Sequence, residues 1–144
     1  MGRDGLAAFL AGDRIAVVGV SASELDPSRV VFRALAARGK LVVPVRAGVE
    51  HIEGHQAYAR LQEVPGPVDG VLIMSRHRVS DLVDDCAEIG CRQLWLCGPP
   101  LDPELAATCG RHQIAVVTRG PDALTGGEGR LRRAFRRLTG SWHV

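Results

Sequence analysis

No apolar run in the 144 residues approaches the roughly 20 that a membrane-spanning helix needs, and the N-terminus lacks a signal-peptide pattern. Both absences lead to the expectation of a cytoplasmic protein without membrane contact. Cysteine is sparse. Cys86, Cys91, Cys97 and Cys109 follow no repeated spacing, which argues against a disulfide framework or a thiolate metal site and fits reduced, mostly buried thiols. Lysine is nearly missing: Lys40 stands alone beside 17 arginines, so an arginine-rich stretch is less distinctive here than elsewhere. A strong charge of either sign is missing as well. The net charge is +2, and residues 126–144 alone hold five arginines against one acid, leaving 13 basic and 15 acidic residues in the body. That balance disfavours a nucleic-acid surface across the domain. Internal repeats, low-complexity tracts and linkers are also lacking, so one domain is expected, long enough to bury roughly 68% of its unfolded surface.

What is present is a regular alternation. Within Arg14-Ile-Ala-Val-Val-Gly-Val-Ser21, Ile15 to Val18 is an unbroken apolar run, as a strand buried on both faces requires, and it opens at Gly19 into a small polar loop. The reading places strands at 14–20, 41–45, 68–74, 93–97 and 114–118. Helices are predicted at 6–10, 28–38 (Ser28 as N-cap, Gly39 closing it), 59–64, 79–89, 102–112 (Asp102 as N-cap, Pro103 first) and 128–138. A brief extended piece is expected around His55 to Tyr58. Strand and helix in strict succession predict a Rossmann-like, three-layer, doubly wound parallel sheet of about five strands, with a ligand crevice at the strands' carboxyl ends. Residues 1–125 form the domain, and 126–144 add a basic terminal helix and tail to it.

The loop after the first strand is the first candidate site. Gly19, lacking a Cβ, lets the backbone approach a ligand, and the following helix directs free N–H groups and its positive end toward the loop. A dinucleotide fingerprint needs three glycines. Only Gly19 is present, with Ser21 and Glu24 at the other two positions, and no lysine is there to form a triphosphate cradle. What is left is hydroxyls (Ser21, Ser23, Ser28) and amides from Gly19, Val20 and Ala22, suited to a diphosphate. Pro44-Val45-Arg46 ends the second strand, where an arginine suits a phosphorylated ribose such as that of NADP or coenzyme A. A polar surface turn and a solvated arginine are the plainer alternatives.

Val17-Val-Gly-Val-Ser21, Val31-Phe-Arg-Ala-Leu35 with Gly39, Val43-Pro-Val45, Gly54-His-Gln-Ala-Tyr58, Pro67-Val-Asp-Gly-Val71 and Leu94-Trp-Leu96 resemble, in order and spacing, segments of the small stand-alone coenzyme-A-binding proteins. The same domain forms the coenzyme-binding part of the succinyl-CoA synthetase α subunit. The resemblance implies phosphate contacts at Gly19 to Ser23, a ribose-phosphate contact at Arg46, and an adenosine-side contact at Ile73, Met74, Ser75 and Arg76. The chain departs from the family pattern in carrying Arg46 for asparagine, Ser75-Arg76 for two arginines, Cys97 for glutamine, and Thr118-Arg119-Gly120 for an Asp-Arg-Cys element.

Catalytic groups are not evident. His51 and His55 are separated by Gly54 in a loop, His77 follows the third strand near the crevice, and His112 and His143 are surface positions. No nucleophile stands beside a base. Cys97, at the end of the fourth strand, reads as a buried small hydrophobe or as a thiol facing the crevice. Gly129 to Leu138 sets Leu131, Phe135 and Leu138 against arginines, fitting a docked terminal helix or a contact with RNA, acidic lipid or a partner. The expectation is a non-enzymatic protein that binds coenzyme A or an acyl-CoA, a small-molecule coenzyme with no membrane or nucleic-acid partner. An NADP-dependent oxidoreductase and a divergent partner-binding member that has lost the ligand are the rivals. A homodimer is compatible with so small a domain.

Overall fold

The computed structural model describes residues 5–124. Its elements, in chain order, are α1 (Leu6–Leu10), β1 (Arg14–Val18), α2 (Pro27–Ala37), β2 (Leu41–Val45), β3 (His51–Ile52), β4 (His55–Gln56), a 3-10 turn at Leu61–Glu63, β5 (Gly70–Ile73), α3 (Val79–Glu88), β6 (Gln93–Leu96), α4 (Pro103–Arg111), β7 (Ala115–Val117) and a 3-10 turn at Pro121–Leu124. The terminal helix expected at 128–138 lies outside the described residues. Among those described, no helix is long and apolar enough to cross a membrane.

Five strands form one parallel sheet in the order β2-β1-β5-β6-β7. From β1 the chain moves outward to β2, then returns past β1 to β5 and continues the other way. With right-handed crossovers, that reversal puts the helices on opposite faces. The core divides accordingly. Ala16, Val18, Val71, Ile73, Leu94 and Leu96 point to the layer of α3 and α4, meeting Val83, Cys86, Leu105 and Cys109. Ile15, Val17, Leu72, Trp95 and Val117 point to the layer of α1 and α2, meeting Phe9, Val31, Phe32 and Leu35. Successive strand residues alternate faces, and because both faces are covered the sequence reads as an uninterrupted apolar run.

Two element ends differ from the sequence reading. The cap of α2 is Asp26, whose carboxylate accepts from the Ser28 amide at 2.9 Å, with Pro27 in the first turn. Ser28 is therefore inside the helix. Asp and Pro in succession outweigh a later serine, because proline has no N–H for the first turn to leave unpaired. The 59–64 helix is reduced to the 3-10 turn at Leu61–Glu63, too short a segment to complete a second turn before Pro65. Residues 46–58 hold the small antiparallel hairpin β3–β4, turned by Glu53 and Gly54 at φ 53° and 79°. The extended piece near Tyr58 is present as a parallel bridge to Val45.

Candidate functional site

β1 and β5 are neighbours in the sheet, but the chain leaves them toward opposite faces. Such a divergence opens a crevice beyond the strand ends. Gly19 stands at its floor with φ +99°, and a Cβ there would lie 2.5 Å from the Ser75 amide nitrogen and 3.0 Å from the Met74 carbonyl carbon. The close approach that Gly19 permits is thus made by the chain's own 74–75 segment, not reserved for a ligand as the sequence suggested.

The loop beyond it is internally bonded. The Ser21 amide donates to Ser28 Oγ at 2.8 Å, the Ser23 amide to Ser21 Oγ at 3.0 Å and the Leu25 amide to Ser23 Oγ at 3.3 Å. Ser28 is 1% exposed and supports the loop from beneath. The three amides are engaged, and none of Ser21, Ala22 and Ser23 is among the residues that line the crevice at Gly19. The α2 N-terminus is likewise occupied by Asp26, which replaces the open positive helix end expected from sequence.

Arg29 was not singled out by sequence reasoning. It is 5% exposed, and its Nη1 donates to the carbonyls of Ser21 and Ala22, both at 3.2 Å. Its Nε meets Glu53 Oε2 at 3.1 Å, and the same oxygen accepts from Arg33 Nη2 at 2.8 Å. The Arg33 guanidinium, with Arg29 behind it, holds the Glu53 carboxyl below the usual carboxylate range. The hairpin thereby clamps the loop to α2, helped by His55, whose ring lies 5.5 Å from that of Phe32. A signal existed in part: Arg29 sits one turn before Phe32, on the buried stripe of the helix. The two-residue strands around Glu53 have no periodicity to read.

Gly19, Val45, Arg46 and Ser75 come together in one crevice of about 840 Å³, with Arg60 beside Arg46. α3 adds Asp81, Asp84 and Asp85 to the same lining, and His77 joins it. Arg46 is exposed and reaches back to the Val20 carbonyl at 3.4 Å. Val20, Ile73 and Met74 are buried, and Pro44 is buried with its carbonyl accepting from the Tyr58 amide at 3.0 Å. None of these four, expected from the sequence to contact the ligand, lines the crevice. Arg76 points away from it, its Nη2 donating to the Gly98 carbonyl at 3.4 Å. Cys97 is fully buried, and burial, then the charge of Asp122, push its thiol up to about 12. It is a core residue, as the plainer reading held.

The family model of the CoA binding domain matches residues 13–121. No curated protein matches the sequence. Among solved structures, a Thermus thermophilus protein is 24% identical, with TM-score 0.74 over 96% of this chain and 99% of its own. A hypothetical protein from Pyrococcus horikoshii is 20% identical, with TM-score 0.74 over 96% of each chain. An acetyl-coenzyme A synthetase from Candidatus Korarchaeum cryptofilum, solved with phosphate and ADP, is 23% identical, with TM-score 0.68 over 74% of this chain and 25% of its own. At these identities the structural likeness speaks for the fold alone. The family match spans the sheet from the start of β1 past the end of β7, and on it the chain belongs to the CoA binding domain family.

Proposed function

We propose that the protein binds coenzyme A, free or acylated, in the crevice at the carboxyl ends of β1, β2 and β5, and does no chemistry on it. The observation that carries this reading is the convergence of Gly19, Val45, Arg46 and Ser75 on one crevice in a chain of the CoA binding domain family. The physics is that of anion recognition. Ser21 and Ser23 hydroxyls and the remaining loop amides face the diphosphate, and the exposed guanidinium of Arg46 offsets the ribose phosphate with a charge-assisted, two-pronged contact. The carboxylates that α3 adds to the lining repel phosphate, which favours its lying toward Arg46.

Calorimetric titration with coenzyme A, NADP and NAD in parallel tests this. Coenzyme A is expected to bind in the micromolar range, and Arg46→Ala to weaken it tenfold or more, since a hydrogen bond to a charged group contributes about 1.5–3 kcal/mol. Binding of NADP alone would move the protein to an oxidoreductase reading. No heat from any of the three would leave the fold serving a protein partner.

A further inference from the structure

The crevice does not end at α3. Arg78 and Asp81 border both it and a second depression of about 570 Å³, lined also by Ser80, Asp102 and Leu105, between the first turns of α3 and α4. Pro99 and Pro100 in turn border both that depression and a third, of about 510 Å³, beyond the ends of β6 and β7. The three form one track along the carboxyl edge of the sheet, and their chemistry changes along it. The first is charged, with arginines and aspartates in its lining. The second is mixed, with the Ser80 hydroxyl and Arg76 beside prolines. The third has fewer charged side chains, with Leu96, Pro99, Pro100, Leu101 and Pro121 in its walls beside Thr118 and Arg119.

The third depression is built, not incidental. The Trp95 indole N–H, on a ring with no exposure, donates to the Arg119 carbonyl at 2.7 Å and fixes one wall. Arg76 donating to the Gly98 carbonyl ties the other wall to the end of β5. Leu101, on the rim, is one of three large apolar side chains left exposed among the described residues, at 37%. Prolines at 99, 100 and 121 hold the walls with little conformational freedom to lose when a ligand arrives.

Resting on the proposed coenzyme site, we infer that the groove beyond β6 and β7 receives the acyl chain of a thioester, so that the preferred ligand is a medium-chain acyl-CoA. The charged crevice takes the nucleotide, the neutral arm crosses the mixed depression, and the apolar chain lies against Leu101 and the prolines. Continuity with the crevice is what selects this occupant over a second protein.

The test is titration of the full chain with coenzyme A, acetyl-CoA and octanoyl-CoA, on the parent and on Leu101→Asp and Leu101→Trp. A fully buried methylene strengthens binding about fourfold, so an open groove covering part of the chain should make octanoyl-CoA at least tenfold tighter than acetyl-CoA. Both variants should reduce that advantage to twofold or less, the first by charge and the second by filling the groove, with coenzyme A itself bound as in the parent. Coenzyme A bound with no gain for octanoyl-CoA would overturn the groove and leave the crevice standing. A gain that survives both variants would place the chain elsewhere and also overturn it. Loss of self-association in Leu101→Asp, without any acyl gain in the parent, would give the groove to a second copy instead. If no ligand binds at all, the coenzyme site and the groove fall together.

Discussion

At the scale of single residues, Gly19 and Arg29 decide the shape of the site for opposite reasons, one by having no side chain and the other by burying a charged one. Gly19→Ala would force a methyl group to 2.5 Å from the Ser75 amide at a φ of +99°. Overpacking of that kind costs about 1–3 kcal/mol, so the urea midpoint should fall, and coenzyme affinity with it, because the same contact sets the spacing of the β1 and β5 ends. Arg29→Met leaves the Ser21 and Ala22 carbonyls without the Arg29 donor, and leaves Glu53 paired with Arg33 alone. A loss of about 1.5–3 kcal/mol is expected by denaturant unfolding. Glu53→Gln should lose less than Arg29→Met, because it keeps an acceptor for Arg29 while releasing the half-exposed Arg33. Gly19 was legible in the sequence as a special position. Its physical reason was not, since the atoms it avoids belong to Met74 and Ser75, just past the end of β5 and more than fifty residues away.

At the scale of elements, the short helix α1 shows how little local sequence settles. Five residues cannot sustain a helix in water. It persists because Phe9, with no exposure, meets Trp95 edge-on at 5.6 Å and 85°. The strand beneath makes room: a Cβ on Gly70 would lie 2.7 Å from the Phe9 ring. Phe9→Ala should therefore cost about 3–5 kcal/mol, seen as a lowered melting temperature. The glycine in β5 reads in sequence as a weak point in a strand and proves to be the seat for an aromatic ring. The strands and long helices were legible from apolar runs, the Asp102-Pro103 cap and the closing glycines. The β3–β4 hairpin was not, because two residues per strand set no period.

At the scale of the whole molecule, two carboxylates join parts distant in sequence. Asp69 Oδ2 accepts from the amides of Asp13 and Arg14, both at 2.9 Å, and so fastens the start of β5 to the start of β1. Those two amides hold its carboxyl below the ordinary value of 3.8, and Arg33 and Arg29 hold Glu53 below its ordinary 4.5. In each case the folded pKa lies beneath the unfolded one. The stabilisation is thus fully present above the ordinary values and is lost as pH falls through the lower folded ones. Denaturant unfolding across a pH series should show a plateau above about pH 5 and a decline toward pH 3. Asp69→Asn should be less stable than the parent at pH 7, and the gap should close in acid, where both side chains are neutral.

The sequence by itself determined the architecture. A parallel, doubly wound sheet follows from apolar runs covered on both faces, helices between them, and turns that only glycine or proline could make. It also marked Gly19, Val45, Arg46 and Ser75, which the fold collects into one crevice. Only the tertiary structure decided that Asp26 caps α2, that the Ser28 hydroxyl serves the loop, that Arg76 leaves the crevice, and that Arg29 and Glu53 clamp its rim. The reason is range. A strand or helix is specified by neighbours a few residues apart, whereas the donors, acceptors and open space of a site are set by which strand ends the sheet brings side by side.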